Sequence, residues 1–227
     1  MIQMRAYDML LRAVQDNGIF ERNKIPLETK VLGCLLYLSG LSYRGMTLQT
    51  GIIRACYRSV HYWVQKLKGI TSRVQKRYRA IVAIDETKLK VNGIQLFVWA
   101  AIDADTKELL AVYASYQRSS INAMLFIRMV LNTCTNKPVV LVDGGPWYPW
   151  AIERYGLKWL HITFGERNYI ERYFRTLKER TKRFCNNINA KVNGIKSLTI
   201  FLNLFMLYYN HLRWHQGIMS VPGGEVI

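Results

Sequence analysis

Three acidic residues stand where this sequence turns from apolar to polar. Asp85 follows Ile81, Val82, Ala83 and Ile84; Asp143 follows Val139, Val140, Leu141 and Val142; Glu171 lies in a base-rich stretch of helical character, residues 167–184. A carboxylate at the end of a buried strand is costly unless it is paired or binds a metal. Two strand ends and one helix face can converge in an α/β fold, and three carboxylates offer the hard oxygen ligands that Mg²⁺ and Mn²⁺ prefer. Phosphodiester chemistry uses two such ions about 4 Å apart, one acting on the attacking oxygen and one on the leaving oxygen.

Rival acids fit less well. Alternation along the strand turns Glu86 away from the face that carries Asp85. Asp103 and Asp105 fall in a hairpin turn, where Asp is common because it bonds the local backbone. Asp85 could instead pair with Lys88 or Lys90, and Asp143 could merely start a turn, although Gly144 and Gly145 would admit a phosphate close to the backbone. Spacing leaves the third acid open among Glu166, Glu171 and Glu179. Glu166 precedes the helix, Glu179 is turned about 80° from Glu171, and Glu171 has Arg175 and Lys178 along its own face. His211 and His215 have the i, i+4 spacing of a helical zinc pair, but no third ligand is evident, so structural or surface histidines are expected.

The formal net charge is +17, from 32 Lys and Arg against 15 Asp and Glu. It is uneven: 14 basic against 4 acidic in residues 1–80, 8 against 7 in 81–160, and 10 against 4 in 161–227. Such an excess favours a polyanion, above all nucleic acid, because neutralising phosphates releases condensed counterions. Half the residues are hydrophobic, enough for a full core. Cys34, Cys56, Cys134 and Cys185 form no CxxC pair, which argues against a zinc ribbon and for reduced, buried thiols. The apolar stretches 31–41 and 198–209 are too short or too interrupted to span a bilayer, and no signal peptide is evident. No GxGxxG, GxxxxGK[ST] or GxSxG motif is present.

The elements that must position the acids follow from periodicity. Residues 26–68 read as helices: 30–39 stops at Gly40, Ser42 caps a second helix ending near Gly51, and a third buries Val60, Trp63, Val64 and Leu67. That third helix leaves Arg58, Ser59, His61, Tyr62, Gln65 and Lys66 outward, the pattern either of an ordinary helical bundle with a solvated face or of a helix-turn-helix over 41–68, which the basic surplus favours. Residues 69–79 read as a polar linker. Beyond it, 81–90 turns at Asn92-Gly93 into 94–102, and a further turn leads to 109–116, an antiparallel meander. A helix capped by Ser119 or Ser120 runs to about Asn132; the strand 139–142, a short helix at 147–155, the strand 158–162 and a long helix at 168–184 follow, then a last helix at 197–214. The order β-β-β-α-β-α-β-α is RNase H-like, an α/β domain with a mixed five-stranded sheet and flanking helices, in which the first and fourth strands lie side by side.

Leu41-Ser42-Tyr43-Arg44, Tyr62-Trp63-Val64-Gln65-Lys66, Ala83-Ile84-Asp85-Glu86-Thr87, Val142-Asp143 and the run from Arg167-Asn168-Tyr169-Ile170-Glu171 to Lys182-Arg183-Phe184 together resemble a DDE transposase of the insertion-sequence-six family. The resemblance implies the triad Asp85, Asp143 and Glu171, and so selects Glu171 among its neighbours. It implies a catalytic site using Mg²⁺ or Mn²⁺, with two ions held by those three residues. It also implies a helix-turn-helix domain that helps to bind terminal inverted repeats, with DNA contacts from Arg44, Arg58, His61, Tyr62 and Lys66, and from Arg175, Lys178, Arg180, Lys182 and Arg183 on the long helix. Residues 209–215 resemble the tail of many transposases and integrases, with Trp214 where proline is usual. The interval from Asp143 to Glu171 is shorter than is usual in the family.

The expected organisation is a helical region at 1–78, a catalytic domain at 79–190 and a C-terminal helix and tail at 191–227. The expected partner is double-stranded DNA, as terminal repeats and as target. A homodimer or larger assembly in the cytoplasm, associated with the nucleoid and not with a membrane, is expected. Two alternatives carry the same features: an RNase H-like nuclease that cuts without joining, and an inert DNA-binding protein derived from a transposase.

Overall fold

The computed structural model describes residues 6–21, 24–70, 74–91, 93–161, 168–181 and 190–224. Contacts divide the chain into two compact units, Met1–Arg73 with Asn203–Ile227, and Val74–Leu202.

The first unit is all-α. Helix α1 (Ala6–Asp16) buries Met9, Leu10, Ala13 and Val14, one face of a 3.6-residue repeat. Helix α2 (Leu27–Ser39) starts after Pro26 and ends at Gly40, whose φ of 124° lets its N–H reach the carbonyls of Leu36 and Tyr37. The second helix expected up to Gly51 is shorter and wider: it loosens into a π-type turn over Gly45–Gln49. Weak helix formers explain this, since the hydroxyls of Thr47 and Thr50 donate to the carbonyls of Tyr43 and Gly45. Ser42 does cap the segment, accepting from the Gly45 N–H at 2.9 Å. Helix α3 (Tyr57–Lys66) buries Val60, Trp63 and Val64, with Leu67 just beyond, while Arg58, His61, Tyr62 and Lys66 are exposed. Cys56, at its N-cap, is exposed, contrary to the expectation of buried thiols; Cys34 and Cys134 are buried and Cys185 lies outside the described residues.

The second unit is built on β1 (Ile81–Val91), β2 (Ile94–Asp103) and β3 (Leu109–Ser115), an antiparallel meander. Val91 pairs with Ile94 across the turn, where Gly93 has a φ of 83°; Asn92 lies outside the described residues. Helix α4 (Ser120–Leu131) is capped by the Ser119 hydroxyl, which accepts from the Asn122 N–H at 3.3 Å. Strand β4 (Val139–Val142), helix α5 (Tyr148–Arg154), strand β5 (Trp159–His161) and helix α6 (Asn168–Thr181) follow. The sheet order is β3-β2-β1-β4-β5, with β4 parallel to both β1 and β5. This is the RNase H-like topology, with β1 at its centre. Against one face, Val82, Ile84, Trp99, Val140 and Val142 pack with Phe126 and Ile127 of α4 and Ala151 and Ile152 of α5.

Helix α7 (Ala190–Leu207) begins seven residues before the expected Ser197. Lys191, Asn193 and Gly194 are weaker signals than the apolar run that follows them, so the sequence pattern hid this first stretch. The helix passes into a π-type turn, Tyr208–Leu212, that packs against α1, and it ends before the expected Trp214 because Arg213 is extended. His211 and His215 are structural: their ring nitrogens meet the carbonyls of Gly224 and Tyr209, each at 3.1 Å.

Residues 75–78 are exposed, as a polar linker would be, but the segment is tied to the second unit at Arg77 and Arg79. Arg77 pairs by a β-bridge with Cys134, and Arg79 is buried. The Arg79 guanidinium meets Asp103 at 2.7 Å and Glu108 at 2.9 Å, and Arg77 reaches Glu108 at 2.5 Å. Asp103 also caps its turn, accepting from the N–H groups of Asp105 and Thr106. A charge run reads as solvated when the acids that neutralise it lie far along the chain.

Arg79→Ala leaves the buried Asp103 carboxylate without its cation and Glu108 with Arg77 alone, and should lower the unfolding free energy by about 3–5 kcal/mol in denaturant titration. Burial, and then the charge of Arg213, lower the His215 pKa from 6.5 to about 4. The unfolded chain therefore binds the extra proton first, and the contribution of His215 to stability, full above pH 6.5, is lost as the pH falls toward 4. Unfolding measured from pH 7 to 4 should show this decline, and His215→Gln should flatten it.

Candidate active site

The site is made by the pairing of β1 with β4. Ile81 is level with Val139, Val82 with Val140 and Ala83 with Leu141. Carrying that register forward by two residues brings Asp143 level with Asp85. The carboxylates of Asp85, Glu86 and Asp143 lie within 4.8 Å of one another, the one such group of acids, His or Cys among the described residues. Asp85 is buried and Asp143 is exposed, so one side of the group opens to solvent.

Each acid is held locally. Asp85 accepts the Glu86 N–H at 2.9 Å. Asp143 accepts the Gly145 N–H at 3.0 Å across Gly144, whose φ of 80° makes the turn possible. A Cβ on Gly144 would come within 3.0 Å of the His161 ring, and one on Gly145 within 2.6 Å of the Trp147 ring. Both glycines therefore let side chains lie directly on the backbone that follows Asp143.

Glu86, set aside on alternation, belongs to this group. Its backbone does alternate with Asp85, but its carboxylate comes level with the two aspartates, where it accepts from Tyr148 Oη at 2.6 Å, Trp147 Nε1 at 3.3 Å and Arg118 at 3.1 Å. Arg118 in turn lies 4.3 Å from the Trp147 ring centroid and 5.0 Å from that of Phe97. Burial first, and the Glu86 charge next, push the Tyr148 hydroxyl well above its ordinary pKa, so it remains a donor. The signal that could have found Glu86 was Trp147-Tyr148, two buried-type donors just after Asp143, which need an acceptor.

Glu171 stands outside the three-carboxylate group. It is exposed in the first turn of α6, a helix that packs on β1 and β2 through its opposite face of Ile170, Tyr173, Phe174 and Leu177. Arg175 and Lys178 are exposed with it, and Arg180 is half-buried; Lys182, Arg183 and Glu166 lie outside the described residues. In the helical unit, exposed Arg44 and Arg58 flank Tyr57, 5.2 Å and 5.9 Å from its ring. Arg58 first, and Arg44 second, lower the pKa of the Tyr57 hydroxyl. Lys66 lies 5.5 Å over the Tyr62 ring, and His61 meets Tyr43 edge-on. Tyr57 was not among the expected DNA contacts, although an aromatic ring between two arginines is a recurrent feature of nucleic-acid surfaces.

Known proteins resemble this chain in sequence and in fold. The family model described as the DDE domain matches residues 80–207. An uncharacterised protein of Methanocaldococcus jannaschii is 37% identical over 209 residues, 91% of this chain and 96% of that one. The transposase for insertion sequence-like element IS431mec of Staphylococcus aureus is 27% identical over 177 residues, 73% of this chain and 78% of that one. Among solved structures, a simian T-cell lymphotropic virus intasome in complex with a PP2A regulatory subunit superposes with a TM-score of 0.51 at 14% identity, covering 84% of this chain and 72% of that one, a likeness of fold. The chain belongs to the DDE transposases of the insertion-sequence-six type. By class it is a polynucleotidyl transferase.

Proposed function

We propose that this chain binds the terminal inverted repeats of an insertion sequence and joins the element's ends to target DNA. The observation that carries the reading is the meeting of the Asp85 carboxylate, midway along β1, with that of Asp143, just past the end of the parallel strand β4, within a DDE-domain chain. Their hard oxygen donors, one buried and one open to solvent, fit a divalent metal site. Asp85, Asp143 and Glu171 would hold Mg²⁺ or Mn²⁺, as two ions, which supplies Lewis-acid activation of the attacking oxygen and charge stabilisation on the leaving one.

The chain's own part is placement. Hydrolysis at the element's end frees a 3′-hydroxyl, and that hydroxyl displaces a 3′ oxygen at a target phosphodiester in the same site, without a covalent link to the protein. Arg175 and Lys178, exposed on the face of α6 that carries Glu171, grip DNA phosphates there, and Arg180, Lys182 and Arg183 extend the basic surface. In the helical unit, Arg44, Arg58, His61, Tyr62 and Lys66 form the surface that holds the repeat, with the turn segment and α3 acting as a helix-turn-helix. Bringing two ends together requires a dimer or larger assembly. Work on DNA places the protein in the cytoplasm, at the nucleoid.

A second reading, an inert DNA-binding descendant, is favoured by the position of Glu171 outside the three-carboxylate group. A strand-transfer assay with a pre-cleaved repeat end in Mg²⁺ and Mn²⁺ separates the two. Joined product from the wild type, abolished by Asp85→Asn, Asp143→Asn or Glu171→Gln with repeat binding retained, is the expected result. Tight repeat binding with no joining in either metal refutes the transposase reading in favour of the inert one.

The DNA surface makes a separate prediction. Arg44→Gln and Arg58→Gln should each weaken repeat binding and reduce the slope of log K against log salt by about one contact, as followed by fluorescence anisotropy.

A further inference from the structure

We propose that Glu86 is a positioning residue of the DDE site, a brace that fixes the segment after Asp143 against β1 and thereby sets the separation of Asp85 and Asp143. The proposal rests on the metal-site reading above. Glu86 follows Asp85 on the central strand, and its two carboxylate oxygens are shared among three donors from beyond β1. Oε2 accepts from Tyr148 at 2.6 Å and Trp147 at 3.3 Å, both from the stretch that leaves Asp143. Oε1 accepts from Arg118 at 3.1 Å, in the approach to α4.

This geometry argues against a ligand role. With three donors in place, little of the acceptor capacity of Glu86 faces the opening beside Asp143, and the Glu86 side chain is only 3% exposed. It argues for a brace on two counts. Gly144 and Gly145 give the backbone after Asp143 unusual freedom, so the direction of the Asp143 carboxylate needs an external constraint. That constraint comes from Trp147, lying on Gly145 and bonded to Glu86, and from Tyr148, fully buried and bonded to the same oxygen. Arg118, sandwiched between Phe97 and Trp147, offsets the third negative charge in a group of three carboxylates within 4.8 Å. Removing an outer partner of this kind costs metal sites about 10–100-fold in affinity or activity.

The test measures Mn²⁺ binding to the full chain without DNA, from the electron paramagnetic resonance of the free ion, alongside the metal dependence of joining a pre-cleaved repeat end. Glu86→Gln keeps an oxygen acceptor for Tyr148 and Trp147 and should shift the Mn²⁺ affinity by no more than about threefold. Glu86→Ala removes the acceptor and should weaken it about tenfold or more. Tyr148→Phe removes one hydroxyl of the brace and should shift it in the same direction by less. The Mn²⁺ concentration needed for half-maximal joining should rise in the same order across the three variants.

Glu86→Gln as damaging as Glu86→Ala, or binding abolished as in Asp143→Ala, would make Glu86 a ligand or a required charge and overturn the proposal. Unchanged affinity in both Glu86→Ala and Tyr148→Phe would overturn it as well. If Glu86→Ala fails to fold, Glu86→Gln and Tyr148→Phe decide. A wild type that binds the repeat but no Mn²⁺ refutes the metal reading itself and the brace with it, whereas normal wild-type binding with unmoved variants refutes the brace alone.

Discussion

The parallel pairing of β1 with β4 is the constraint on which the rest of the catalytic unit depends. It forces two carboxylates to the same level on adjacent strands, where their charges repel across a partly desolvated gap. Everything around the strand ends serves to make that arrangement tolerable: backbone N–H donors on each aspartate, a left-handed glycine after the second, and a guanidinium held by two aromatic rings beside the third acid. The strands are held from behind by an apolar layer of α4 and α5, and from the other side by the buried face of α6. The electrostatic cost of the site is thus carried by a rigid scaffold.

A second charged cluster shows the same economy at the start of β1. Arg79, Asp103, Glu108 and Arg77 join the start of the central strand to the turn between β2 and β3. Because Asp103 also accepts two turn N–H groups, the ion pair is geometrically fixed, which suits a buried pair that must offset its own desolvation. The start of β1 and its middle, at Asp85 and Glu86, are therefore both set by polar contacts, between apolar neighbours.

The sheet was legible in the sequence because its signals are local: Asn92-Gly93 for the hairpin, Ser119 for the start of α4, four-residue apolar runs before Asp85 and Asp143. The register of β1 with β4 followed from topology. What could not be read was what depends on distant partners. Arg79 looked solvated because Asp103 and Glu108 lie a whole hairpin away. Glu86 looked misdirected because strand alternation describes Cβ vectors, and a Glu side chain is long enough to bring its carboxylate within reach of Asp85 and Asp143. The helix from Gly45 departed from α geometry because two threonine hydroxyls compete for its carbonyls. Glu171 could be chosen only by family resemblance, since helical spacing left three glutamates open.

The exposed cysteine at the start of α3 has a practical consequence. Among the described residues Cys56 is the thiol that reagents reach, while Cys34 is buried with its ionisation suppressed. It immediately precedes the Arg58–Tyr57–Arg44 cluster. A spin label or fluorophore on this native residue would sit beside the surface assigned to the repeat, and would act as a built-in spectroscopic reporter without an engineered attachment point.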